Sequence, residues 1–310
     1  MRYSSNQMKL EGIFIPNVTP FGEGGGLDKD ALSSLIEYWM STGVSGLAVN
    51  ASTGEGPLLS REEKAELLEL AVERVDGRGI VIAGTGEIGT RETITLTRDA
   101  LDIGADAALV ITPYFYKPTD EELYRHYSVL LSKVDIPVIL YNVPKFTGYS
   151  IKAEVIRWIA EEHSNLVGVK ESGGDPGVLA ELTNLLGDRV SILSGSGDTL
   201  LTALALGGRG GILAIANVIP EACVSLYEAY GRGEIGEAGR LQAMISNLNR
   251  VLVRELNQAS ALKRALSLLG RWAGYPRHPI LPLSPIEEAR VLEALRRSGI
   301  LEGKEVKRSR

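Results

Sequence analysis

Short, nearly continuous apolar runs alternate along the chain with longer segments whose apolar residues return every three or four positions. The short runs fall at 12–19, 46–50, 80–84, 107–111, 138–142, 166–170, 191–194 and 211–217. Runs without a polar face are expected of parallel strands covered on both sides. The longer segments read as helices. In the first, Leu32, Leu35, Ile36 and Trp39 share one face behind Asp28, a residue suited to an N-cap. In the second, Ser60 is followed three residues later by Glu63, the spacing of a capping box. Gly43, Gly104 and the Gly207-Gly208 pair stand where helices return into strands, as left-handed caps require.

The strand-plus-helix unit recurs eight times at an average of about 28 residues. The expected fold is α/β, a (β/α)8 TIM barrel. A doubly wound open sheet rarely reaches eight equal units. After Pro220 the pattern is wholly helical, near 220–231, 234–256, 259–270 and 285–298. The expected organisation is a barrel over 8–232 and a C-terminal helical extension over 233–310, in one structural unit. Met8 is an alternative start, with 1–7 a disordered leader, and the polar tail 303–310 is expected to fray.

Composition narrows the function. At 310 residues, 44% hydrophobic and 23% charged, the chain can bury a sizeable core. A net charge of −6 argues against a nucleic-acid partner. The apolar stretch from Gly211 to Pro220 is too short to span a bilayer, so no membrane partner is expected and the location reads as cytoplasmic. One cysteine, Cys223, excludes an internal disulfide. The three histidines, His126, His163 and His278, lie away from the strands' C-terminal ends, which disfavours a metal-dependent aldolase.

In a barrel of this kind the chemistry sits at those C-terminal ends. Lys170 closes one apolar run and should project into the mouth, where burial lowers an amine's pKa and makes it a nucleophile toward carbonyls. The alternative is a structural lysine paired to Glu171 or another rim carboxylate. Tyr141 ends the neighbouring run and could pass a proton to or from the amine, or simply pack at the rim. Ser52-Thr53-Gly54-Glu55 offers hydroxyls and backbone N–H groups to a small carboxylate, or a plain helix-entry turn. Gly84 to Gly89 matches GxGxxG, but the following strand ends in Thr112-Pro113 rather than the acid that a dinucleotide site needs. Ser194 to Asp198 reads as a turn with Ser196 or Asp198 as N-cap.

Together, Ser52-Thr53-Gly54-Glu55, Thr112-Pro113-Tyr114, Tyr141-Asn142-Val143-Pro144 and Gly168-Val169-Lys170-Glu171-Ser172 resemble the dihydrodipicolinate synthase / N-acetylneuraminate lyase family of pyruvate-dependent class I aldolases. The resemblance runs from about Gly12 to about Leu295. It implies a barrel with a C-terminal helical extension. It also implies a Schiff-base lysine at Lys170, a proton-transferring tyrosine at Tyr141, and a carboxylate cradle at Ser52 and Thr53 beside Gly54. Ser52 would join the proton relay, and the backbone of Ile212 would contact the keto acid. The cofactor expectation is a covalent imine with no metal and no nucleotide. The partners implied are a 2-oxo acid, an aldehyde and further copies of the chain, as a homotetramer. Two positions depart from the family pattern. Phe115 replaces the relay tyrosine, leaving Tyr114 and Tyr116 as candidate substitutes. Phe146 replaces the arginine that holds the aldehyde's carboxylate in the lysine-biosynthesis synthases. The expected function is cleavage of a 4-hydroxy-2-oxo acid, or condensation of a 2-oxo acid with an aldehyde. The alternatives are 4-hydroxy-tetrahydrodipicolinate synthase proper and a weakly active regulatory relative that binds 2-oxo acids.

Overall fold

Eight parallel strands pair in chain order, and the last pairs back with the first to close a barrel. They are β1 (Gly12–Ile15), β2 (Gly46–Val49), β3 (Ile80–Gly84), β4 (Ala107–Ile111), β5 (Val138–Asn142), β6 (Leu166–Glu171), β7 (Ser191–Ser194) and β8 (Gly210–Ile212). The structure is a computed structural model that describes residues 8–301, so the leader at 1–7 and the tail at 303–310 lie outside the described residues. Helices α1 (Lys29–Met40), α2 (Arg61–Val75), α3 (Thr90–Ile103) and α4 (Asp120–Leu131) follow β1 to β4. After β5 come a single turn, α5 (Pro144–Thr147), and α6 (Ala153–Glu162). Helices α7 (Pro176–Leu186), α8 (Leu200–Ala205) and α9 (Pro220–Gly231) complete the ring. The remainder is α10 (Ile235–Asn249), α11 (Gln258–Leu268) and α12 (Pro285–Arg297).

Local chemistry places these elements. Asp28 accepts from the Ala31 N–H at the start of α1, and Ser60 and Glu63 form the capping box of α2. Gly43, Gly104 and Gly207 have positive φ where helices give way to strands. Two apolar runs break earlier than their hydrophobicity predicts. The run at 12–19 stops pairing at Ile15, before a proline that has no N–H to donate. The run at 211–217 is strand only to Ile212, and Ala214–Asn217 forms a 3-10 turn. The Asn217 side chain causes this. Its amide donates to the Pro16 and Ala214 carbonyls at 2.9 Å, and its oxygen accepts from the Val18 N–H at 3.0 Å. The segment at 234–256 divides into α10 and a π-helical stretch, Arg250–Glu255.

Strand residues alternate between two shells. Ile15, Leu47, Val49, Val81, Val110 and Leu140 pack outward against the helices. Phe14, Ala48, Ile82, Leu109, Ile139, Leu193 and Ile212 fill the lumen. Strand β6 interrupts this alternation. Val138 pairs with Leu166 but Ile139 with Gly168, so Val167 is an extra residue. The step reverses the facing of everything after it. Lys170 thereby comes level with the lumen residues Tyr141 and Leu193.

Candidate active site

The mouth of the lumen is floored by the ends of β5 and β6. Lys170 is 3% exposed and has no ion-pair partner among the described residues. Its Nζ lies 4.0 Å from the centre of the Tyr141 ring. Burial pulls the amine from its ordinary range down to about 7, because the charged form loses its hydration. Burial pushes the Tyr141 phenol up to about 12, while the nearby Ser52 and Ser172 hydroxyls act in the opposite sense. At neutral pH about half of the Lys170 amine is therefore uncharged, beside a phenol that keeps its proton. Pairing of Lys170 with Glu171 does not occur, since consecutive strand residues face opposite ways. The Glu171 carboxylate instead accepts from Asn142 Nδ2 at 2.6 Å and from the Gly173 N–H at 2.5 Å.

Ser52 and Thr53 occupy a 3-10 turn, Ser52–Gly54, directly after β2. Thr53 Oγ1 accepts from Gln258 Nε2 at 2.8 Å, which leaves the threonine's own O–H free to donate. Gly54 packs so tightly that a Cβ would sit 2.8 Å from the Asn17 carbonyl oxygen. Glu55 adopts left-handed backbone at φ 58°. Its carboxylate accepts from Lys263 Nζ at 2.5 Å and from the Arg277 N–H at 2.8 Å. The Glu55 and Lys263 side chains are each 1% exposed. A buried ion pair from α11 thus fixes the turn that carries Ser52 and Thr53. Ile212, at the end of β8, is fully buried in the lumen layer.

Lys170, Tyr141, Thr53 and Ser172 line a cavity of about 340 Å³. Ser172 Oγ is buried there without a hydrogen-bond partner among the described residues. The outer wall is made of Lys145, Phe146, Asp198, Asn249, Arg254 and Gln258. Phe146 is half exposed on α5 and also borders a second, more apolar cavity of about 580 Å³ that includes Ser52 and Tyr114. Tyr114 Oη donates to Glu87 Oε2 at 3.4 Å, and Lys64 pairs with the other oxygen of the same carboxylate. Burial and Glu87 hold the Tyr114 phenol up at about 12.

Tyr116 is not brought to this site within one chain. The backbone at Phe115 turns left-handed at φ 76°, which sends the next side chains outward. Phe115 and Tyr116 are 83% and 73% exposed and pack edge to face on each other. Of the two tyrosines named as substitutes, Tyr114 borders the second, more apolar cavity, and neither lines the Lys170 cavity. The glycines of GxGxxG serve packing, since Cβ atoms at Gly84 and Gly86 would lie 2.5 Å from Asn50 O and Ile111 N. Ser196 accepts from the Asp198 N–H as an N-cap. His126 bonds Thr90 Oγ1 at 2.8 Å against α3, and Cys223 is wholly buried.

Reading strand ends alone misses Gln258, Lys263, Asn249 and Arg254. They come from the segments after α9 and reach the mouth from outside the barrel's own repeat. The available signal was polar: Lys263 interrupts the apolar face of α11 formed by Ala259, Leu262 and Leu266.

The chain matches the model of the dihydrodipicolinate synthetase family over residues 9–297. It is 39% identical over 292 residues to the 4-hydroxy-tetrahydrodipicolinate synthase of Thermodesulfovibrio yellowstonii, covering 94% of this chain and 99% of that one. Its fold superposes on dihydrodipicolinate synthase from Aquifex aeolicus with a TM-score of 0.90 and 36% identity, over 94% of this chain and 99% of that one. A prophage protein of the dihydrodipicolinic acid synthase family from E. coli K12, solved in complex with pyruvate, gives a TM-score of 0.91 and 30% identity over 95% and 100% of the two chains. With a closed eight-stranded barrel and a family match across nearly its whole length, the chain belongs to the dihydrodipicolinate synthetase family and is an enzyme of the pyruvate-dependent class I aldolase and lyase type.

Proposed function

We propose that the enzyme cleaves a 4-hydroxy-2-oxo acid to pyruvate and an aldehyde, or runs the reverse condensation, through a Schiff base on Lys170. The observation that carries this reading is a buried amine with no counter-charge among the described residues, its Nζ 4.0 Å from the ring centre of a tyrosine that keeps its phenolic proton. The neutral Lys170 Nζ bonds to C2 of the oxo acid and gives a carbinolamine. Tyr141 donates its proton to the carbinol oxygen, which leaves as water, and a protonated imine remains. The resulting phenoxide takes the proton of the 4-hydroxyl. The C3–C4 bond breaks, the aldehyde departs, and the electron pair passes through C3 and C2 to the imine nitrogen. Tyr141 returns the proton to C3, and water releases pyruvate from Lys170. Thr53, Ser52 and the backbone at Gly54 hold the C1 carboxylate, Ile212 contributes backbone at the opposite wall, and Ser52 connects Tyr141 to the proton path. Tyr114 stands nearer to that path than Tyr116.

Incubation with pyruvate, borohydride reduction and peptide mapping tests the reading. A reduced pyruvyl adduct on Lys170, absent from Lys170→Ala, is expected. A native protein that forms no adduct overturns it. Tyr141→Phe should slow turnover by about 10²–10⁴-fold, because a general acid–base group is removed.

The names of the relatives favour a second reading, 4-hydroxy-tetrahydrodipicolinate synthase. Phe146 stands against it, because an aromatic ring does not replace a bidentate arginine. Complementation of a lysine auxotroph at normal expression would decide for the synthase. The exposed Phe115-Tyr116 pair supports assembly with further copies of the chain, and light scattering should give a mass above that of one chain.

A further inference from the structure

Phe146 removes one positive charge from the outer wall of the Lys170 cavity, but two others converge there. Arg254 lies on the π-helical stretch Arg250–Glu255, a wide turn that is uncommon in helices and frequent at functional sites. Lys145 sits on α5, across the cavity mouth, and its Nζ donates to the Val253 carbonyl at 3.1 Å. The two cationic side chains are thus held beside each other, and both border the Lys170 cavity and the apolar cavity next to it. Burial and the charge of Arg254 lower the Lys145 pKa, the mark of like charges held together.

The neighbouring acid does not cancel them. Asp198 Oδ2 accepts from Arg254 Nη1 at 3.2 Å and from Asn249 Nδ2 at 3.0 Å. That single contact leaves the other guanidinium N–H groups without a partner among the described residues. Two cations against one anion leave one positive charge unmatched, which suits a carboxylate better than a doubly charged phosphate. Arg254 is 65% exposed, so it stands at the rim, where the departing or arriving aldehyde passes.

We propose that Arg254, with Lys145, is a specificity-determining pair that binds a carboxylate at the far end of the aldehyde partner. This rests on the Schiff-base reading above and names the class of its second substrate. Phe146 then covers the apolar carbons between the aldehyde and that carboxylate.

The test compares succinic semialdehyde with butanal, which matches its chain length and lacks the charge, in condensation with pyruvate. Borohydride trapping of pyruvate on Lys170 is measured on the same preparations. The wild type is expected to favour succinic semialdehyde in kcat/KM. The ratio of kcat/KM for the acid over the neutral aldehyde should fall at least about tenfold in Arg254→Met, further with Lys145→Met added, and less in Arg254→Lys. A ratio unchanged by Arg254→Met overturns the proposal, as does a wild type that trapped pyruvate but favoured butanal or used neither aldehyde. Failure to trap pyruvate at all is a different result, and it overturns the Schiff-base reading and this inference with it.

Discussion

Lys170 is held in an environment that costs stability. Its ordinary pKa of 10.5 falls to about 7, so between those values the folded state binds fewer protons than the unfolded chain. The folded state therefore gains relative stability as pH rises from about 7 toward 10.5. Lys170→Met, which fills the same lumen with apolar atoms, should raise the unfolding free energy at neutral pH by about 1–4 kcal/mol. The same substitution should remove that pH dependence. Denaturant melts at several pH values measure both. The rate of pyruvate trapping should increase as pH climbs through about 7 and level off above it, since only the neutral amine attacks. A rate independent of pH between 6 and 8 would contradict the assigned environment. The sequence marked this lysine by its place at the end of an apolar run. It could not settle whether Lys170 faced the lumen or the helices, because the facing depends on a one-residue step inside that run.

At the scale of elements, the turn after β2 and helix α11 behave as one unit. Burial lowers Lys263 to about 8 while Glu55 opposes that shift, so the lysine keeps its charge at neutral pH. Lys263→Met leaves the Glu55 carboxylate buried with only the Arg277 N–H for support. It should destabilise the fold by about 3–5 kcal/mol, and adding Glu55→Gln should recover most of that loss. Thermal unfolding of the single and double variants checks the coupling. The caps of α1 and α2 were legible because capping is local, a matter of residues three apart. The early end of β8 was not, because the Asn217 side chain that imposes it bonds to residues about two hundred positions away in the chain.

For the whole molecule, the eightfold repeat revealed the barrel because each unit repeats the same local balance of apolar strand and amphipathic helix. The same regularity concealed the contribution of the chain beyond the repeat. We propose that residues 233–310 are a functional part of the barrel rather than an independent domain. Ala238, Leu241, Ile245 and Leu248 of α10 are buried, and α11 supplies both Gln258 and Lys263 to the mouth. A chain ended at Arg232 should lose near-UV circular dichroism, bind a hydrophobic dye and trap no pyruvate. A truncated protein with native spectra would refute this view. Among the described residues no helix is long and apolar enough to cross a membrane.

The extra residue at Val167 has a genetic consequence. Whether the reactive amine meets a substrate or the helical shell depends on how the residues before it are paired, as well as on which amino acid occupies position 170. Loss of the Val167 codon would remove the bulge, leave Leu166 opposite Val138 and Gly168 opposite Ile139, and keep Lys170 opposite Tyr141 in the lumen. Such a deletion belongs to a class of change that surveys of substitutions never sample, and pyruvate trapping on Lys170 should survive it.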